Sequence, residues 1–301
     1  MSYGSMSVTE RRLLPPAVAV STVAFALHPP EGARLGCEAA SSVAGGSAPA
    51  TLWLPLVRRT RPPFADRWAL PGGPIPWDET LVDTALRTLR AAVRRDPGYL
   101  EQLYSFGAVE RSADAQRIVT IAYWALYGEQ DLLEAPGDAS TGSATASTGS
   151  ATASTGSAAL RPDSLERSEP AGRAQPDDPN IAWFSADKLP PLAFDHAEIV
   201  AYALDRLRSK TEYSTVAYRF LGRSFTLAQL REVREAILGE TIDPANFRRQ
   251  ALSQGHLIDT GEQTSGARHR PARLYRFRAT AGSSADRPSD TITDLQTRSA
   301  S

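Results

Sequence analysis

The sequence predicts an α/β domain followed by a C-terminal winged helix-turn-helix domain. Three observations carry this. Up to about residue 210, runs rich in Val, Ile, Tyr and Trp alternate with stretches whose apolar residues recur at helical spacing. From about residue 211 the order becomes capped helix, short connection, capped helix, hairpin. Between the two halves of the first domain, residues 140–157 read STGSATASTGSATASTGS, a seven-residue repeat of small polar residues with nothing to bury.

After a tail over 1–16, the apolar run AVAVSTVAFAL (17–27) reads as a strand, and a loop over 29–50 separates it from a second, TLWLPLVRR (51–59). On Glu79–Arg94 the residues Val82, Leu86, Leu89 and Val93 recur as on one helix face. Strands over 100–109 and 118–127 complete the stretch 17–133. Residues 134–178 form a low-complexity insertion, extended on both sides of the repeat by Pro136, Pro162, Pro170 and Pro176, and it is expected to be dispensable. The first domain ends over 179–210, with strand IAWFS (181–185) and a helix over Asp195–Lys210 carrying Ile199, Val200, Ala203, Leu204 and Leu207.

The second domain spans 211–279. Thr226 caps a helix carrying Leu227, Leu230, Val233, Ile237 and Leu238, with Gln229 as its capping-box partner and Gly239 at its end. Asp243 caps the next helix, Pro244 suits its first turn, Phe247 and Leu252 are expected to give it an apolar side, and Gly255 stops it. LIDTGE, the basic loop QTSGARHRP and ARLYRFR read as a hairpin, and 280–301 as a disordered tail.

Composition narrows the function. With 301 residues, 42% of them hydrophobic, the chain can bury a core in each domain. The lone Cys37 cannot form an internal disulfide, and the opening MSYGSMSVTERRLL shows no charged-then-apolar leader, so a cytoplasmic location is expected. No apolar run reaches the roughly 20 residues of a membrane span. The formal net charge of -1 hides an asymmetry: between Pro244 and Arg278 stand Arg248, Arg249, Arg268, Arg270, Arg273, Arg276 and Arg278 against only Asp259 and Glu262. Such a surface fits an anionic partner. A recognition helix offers its N-terminal residues to base edges, so Ala245, Asn246, Arg249 and Gln250 are candidates for base reading and Arg248 for base or phosphate. Arg268, His269, Arg270 and Arg273 in and beside the wing suit phosphates or the minor groove.

The first domain carries a second set of candidates. WALPGGPIPWDETLVDTALRTLRAAVRRDPGY (68–99) resembles the box of the Nudix hydrolases, which asks for Gly, five residues, Glu, seven residues, Arg-Glu, an aliphatic, one residue, Glu-Glu, one residue, Gly. Gly73, Glu79, Arg87 and Leu89 match, whereas Thr88, Ala91 and Ala92 stand where glutamates belong and Arg94 replaces the last glycine. Diphosphate hydrolysis relies on a divalent metal, and magnesium asks for hard oxygen ligands that alanine lacks. No catalytic residue, metal or cofactor is therefore assigned. A fold that has lost catalysis can still bind the nucleotide, and Arg58, Arg59 and Trp68 beside Gly72 and Gly73 are the candidates. The competing reading is a divergent hydrolase with relocated ligands drawn from Asp78, Glu79, Asp83 or Glu101. His196, near a helix start, is expected to cap or pack, and most of Trp53, Trp68, Trp77, Trp124 and Trp183 to be core.

Together with FDHAEIVAYALDRLRSKTEYS, FTLAQLREVREAILG, IDPANFRRQALSQGHLIDTGE and RPARLYRFR, the box identifies the chain as similar to the Nudix-related transcriptional regulators of NAD metabolism, the NrtR type. That resemblance implies a Nudix-like α/β/α sandwich sensing ADP-ribose or a related nucleotide. It also implies a winged helix binding a double-stranded DNA operator, repression as the sign of control, and a homodimer on a palindromic site.

Overall fold

The computed structural model describes residues 15–36, 51–112, 117–133, 178–213, 215–264 and 271–278. The expectations for the insertion up to 177, for Cys37 and the rest of the 38–50 loop, for 1–14 and 279–301, and for Arg268, His269 and Arg270 lie outside these residues.

The strands of the first domain are β1 (Ala17–Ala26), β2 (Trp53–Arg58), β3 (Trp68–Ala69), β4 (Gly72–Pro74), β5 (Tyr99–Phe106), β6 (Ile118–Tyr127) and β7 (Ile181–Ser185). Its helices are α1 (Leu81–Val93), the short α2 (Glu129–Leu133) and α3 (His196–Tyr213). They build one seven-stranded mixed sheet of order β3-β2-β1-β6-β5, with β4 antiparallel to β1 and β7 antiparallel to β2. β1 and β6 run parallel in register from Ala17↔Ile118 to Ala26↔Tyr127. Helices cover both faces of this central pair, which is why both strands are nearly continuous in apolar residues rather than alternating.

Successive side chains of a strand point to opposite faces. Ala24 and Ala26, with Ala125 and Tyr127, meet Leu89, Ala92 and Val93 of α1. Val23 and Phe25, with Trp124 and Leu126, meet Ile199, Val200, Ala203 and Leu207 of α3. The result is the α/β/α sandwich. Trp53, Trp124 and Trp183 belong to its core, Trp68 is half-buried, and Trp77 is fully exposed.

The helix expected over Glu79–Arg94 starts later. Thr80 is its N-cap, in a capping box with Asp83, and Glu79 lies before the helix rather than at its cap. The second domain follows α3 through a 3-10 turn (Thr215–Phe220), then α4 (Leu227–Leu238), α5 (Pro244–Ser253) and the hairpin β8 (Leu257–Gln263) and β9 (Arg273–Phe277). Its caps are those read in the sequence: Thr226 with Gln229 opens α4, Gly239 closes it in the left-handed conformation, and the Asp243 side chain accepts from the Asn246 N–H at the start of α5. Phe225, Leu230, Phe247, Ala251 and Tyr275 form the small core of this domain. Leu252 is the exception to the expected pattern. It stands five residues from Phe247, which on a helix carries it to another face, and it is 42% exposed.

The two domains share packing. Val233, Ala236 and Ile237 of α4 are buried in the same cluster as α3 and the sheet, and Arg208 Nε of α3 donates to the Ile237 carbonyl at 3.1 Å.

Candidate effector cleft and nucleic-acid interface

Gly72 and Gly73 are strand residues. They lie in β4, paired with β1, where Gly72 faces Ser21 and Gly73 faces Val20. A Cβ on Gly72 would lie 2.2 Å from the Val20 carbonyl oxygen, so only glycine lets the strands approach, whereas a Cβ on Gly73 would meet open space. Beyond Gly73, Ile75 packs against the cluster of Val20, Ala85 and Tyr123.

Both carboxylate oxygens of Glu79 are engaged. Arg87 Nε donates to its Oε1 at 2.6 Å and the Thr84 hydroxyl to its Oε2 at 2.9 Å, and Arg87 above all holds the carboxyl below its usual range. Where the box expects its glutamates, the Thr88 hydroxyl is buried and turned back onto the Ala85 carbonyl, Ala91 is exposed and Ala92 packs in the core. Arg94 closes α1 at φ 63°, the left-handed conformation that explains why the box has glycine there. An arginine tolerates it at a cost of about 1 kcal/mol. Of the other carboxylates of the competing reading, Asp83 is engaged in the Thr80 cap and Glu101 with Lys210 and with Arg206, while Asp78 is exposed. Among the described residues no group of three or more His, Cys, Asp or Glu could hold a metal ion.

Arg58, Arg59 and Trp68 gather at the β2–β3 end. Arg58 pairs with Asp66 at 3.2 Å, and the Trp68 ring meets Phe184 edge-on, so it serves the α3 side of the sandwich. Arg59 donates to the Pro63 carbonyl at 2.8 Å, and its guanidinium lies 4.7 Å from the centre of the Phe194 ring, which Phe64 meets edge-on. Phe64 and Phe194 were not anticipated as neighbours of Arg59; the FDH stretch at 194–196 was the available signal. The two groups are therefore distinct in surroundings: Gly72 and Gly73 pair with β1, whereas Arg59 and Trp68 lie against residues 192–194 and Arg58 pairs with Asp66.

His196 lies beside Phe194, their rings 5.4 Å apart. It is 7% exposed, its Nδ1 accepts from the Leu70 N–H at 2.9 Å, and burial pushes its pKa down to about 4. It is a neutral packing residue, as expected. Beside it, the almost buried Arg111 pairs with Asp195 and donates to Thr120 Oγ1 at 3.0 Å, tying the segment after β5 to the start of α3.

The second domain presents a different surface. Phe247 and Ala251 anchor α5, while Ala245, Asn246, Arg248, Arg249 and Gln250 are all exposed. Arg249 Nη2 donates to Asn246 Oδ1 at 2.8 Å, so the two side chains present a joined polar group. On the hairpin, Arg273 Nη1 donates to Asp259 Oδ2 at 2.9 Å yet stays 64% exposed, leaving guanidinium edges for solvent or an anion. The Thr264 N–H donates to the Ala272 carbonyl, closing the described part of the hairpin.

Known proteins combine these two parts in the same order. Residues 217–277 match the NrtR DNA-binding winged helix domain. The ADPR responsive transcriptional repressor NtrR of Acinetobacter baylyi is 27% identical over 226 residues, 74% of each chain. Shewanella oneidensis NrtR aligns over 87% of this chain and 94% of its own at 30% identity and TM-score 0.57. The same protein crystallised with a 27mer DNA aligns at 29% identity and TM-score 0.57, over 87% and 93%. A MutT/nudix family protein of Enterococcus faecalis, 22% identical with TM-score 0.54 over 91% of this chain and 95% of its own, shares the fold. An α/β/α sandwich with an eroded Nudix box, continued by this winged helix along nearly the full length of a relative at 30% identity, makes the chain a member of the NrtR family.

Proposed function

We propose that this protein is a DNA-binding transcriptional repressor whose Nudix-like domain binds ADP-ribose or a related nucleotide without hydrolysing it, controlling genes of NAD metabolism. One observation carries the reading most directly: α5 is anchored by Phe247 and Ala251 and turns Asn246, Arg248, Arg249 and Gln250 outward, in a domain that follows a Nudix-like fold. Asn246, Arg249 and Gln250 are assigned to base edges, Arg248 to base or phosphate, and Arg268, Arg270 and Arg273 to the backbone. Arg58, Arg59 and Trp68, with Gly72 and Gly73, are assigned to the nucleotide. The non-catalytic part of the reading is supported by the lack of carboxylates at 88, 91 and 92 and by the engagement of Glu79 with Arg87 and Thr84. Two copies acting on a palindromic site in the cytoplasm complete the reading, because a helix-turn-helix dimer mirrors its operator's symmetry.

An effector changes DNA affinity only by binding the free and DNA-bound states unequally. The test is a fluorescence-anisotropy titration of the full chain on an operator selected from a random pool, with and without ADP-ribose in metal-free buffer. Tight binding that ADP-ribose weakens is expected. Binding unaffected by any NAD-derived metabolite removes the effector assignment, and magnesium-dependent turnover of ADP-ribose that vanishes in Glu79→Gln removes the non-catalytic one.

A further inference from the structure

The outward stripe of α5 contains a leucine. At about 100° per residue, Ala245, Arg249 and Leu252 fall within roughly 60° of one another, and their mean direction lies about 150° from that of Phe247 and Ala251. The latter two are 2% and 3% exposed, whereas Leu252 is 42% exposed and belongs to none of the hydrophobic clusters of the described residues. A single exposed leucine is ordinary on a protein surface. This one is distinguished by its position, in line with Arg249 on the face that the reading above turns toward DNA.

Its neighbours on α5 sharpen the contrast. Arg249 is held by Asn246, and the Ser253 hydroxyl is turned back onto the Gln250 carbonyl, so the last turn offers an apolar side chain where the first turns offer polar ones. Leucine can neither donate nor accept a hydrogen bond. In the major groove the base-edge group that an apolar side chain recognises is the 5-methyl of thymine. Leu252 lies three residues beyond Arg249, about 4.5 Å along the helix axis, slightly more than the 3.4 Å rise between successive bases of a strand.

Resting on the DNA-binding reading, we propose that Leu252 is a specificity-determining residue that reads a thymine methyl one or two base pairs from the position read by Arg249. Burying one methyl corresponds to about a fourfold gain in affinity per half-site.

The experiment replaces each thymine of the selected operator in turn by deoxyuridine, which removes the methyl and keeps the pairing edge, and measures binding of the full chain by anisotropy. Wild type is expected to lose about fourfold at one thymine of each half-site. Leu252→Ala should bind the thymine operator about as weakly as wild type binds the deoxyuridine one, with no further loss on deoxyuridine, while Leu252→Met restores the difference. Equal wild-type affinity for every deoxyuridine duplex, or a methyl dependence that survives in Leu252→Ala, overturns the assignment to Leu252 alone. A chain that enriches no sequence from the pool overturns the DNA-binding reading itself.

Discussion

His196 illustrates how a single buried group is written into the stability of this fold. Its imidazole is neutral because burial disfavours the charged form, and its pKa falls from 6.5 to about 4. A group whose folded-state pKa is depressed contributes stability above its unfolded value and loses it as pH falls toward the folded one. Each unit is worth about 1.4 kcal/mol, so a loss of a few kcal/mol is expected between pH 6.5 and pH 4. Urea midpoints measured across this window should fall more steeply for wild type than for His196→Gln; parallel slopes would assign the acid sensitivity to other groups. The residue's type and place were legible as packing, but not its partner, because the Leu70 N–H is 126 positions away in sequence. Gly72 was legible only as part of the stretch that resembles the box; that only glycine fits there, because the Val20 carbonyl lies so close, depends on a strand partner far away in sequence.

The elements divide by what defines their limits. α4 and α5 were readable almost to the residue, since Thr226, Gln229, Gly239 and Asp243 are local chemistry that acts within one turn. The two-residue β3 and three-residue β4 were missed, because they are held by partners on β2 and β1 and carry no periodicity of their own. Leu252 was placed on the wrong side of α5 by counting apolar residues without their angular spacing. The elements proposed to face DNA should also fail differently when altered. Arg249→Ala on α5 should cost about 1 to 3 kcal/mol and relax preference at one base position per half-site. Arg270→Ala on the wing should weaken specific and non-specific duplexes alike and flatten the dependence on salt, as fewer counterions are released. Binding isotherms at several salt concentrations separate the two, and wild-type behaviour of both variants would place the DNA surface elsewhere.

At the scale of the molecule, the winged helix is not an independent body. Val233, Ala236 and Ile237 complete the core beneath α3, so removing the sheet domain would expose all three at a cost on the order of 5 kcal/mol. Scanning calorimetry of the full chain should show one transition, and a fragment of residues 215–278 should lack a cooperative one. Two separated transitions, or a fragment that melts like the intact chain, would contradict the shared core. Under the proposed pairing of two copies, the same packing would make the sheet domain a ruler for DNA. In a symmetric pair whose recognition helices must sit about 34 Å apart to enter successive turns of the groove, that separation is dictated by how the two sheet domains meet, since α4 cannot swing away from them. Variants selected for operators with an altered gap between half-sites should accordingly carry changes remote from the bases, in the sandwich, while α5 goes on reading the same letters.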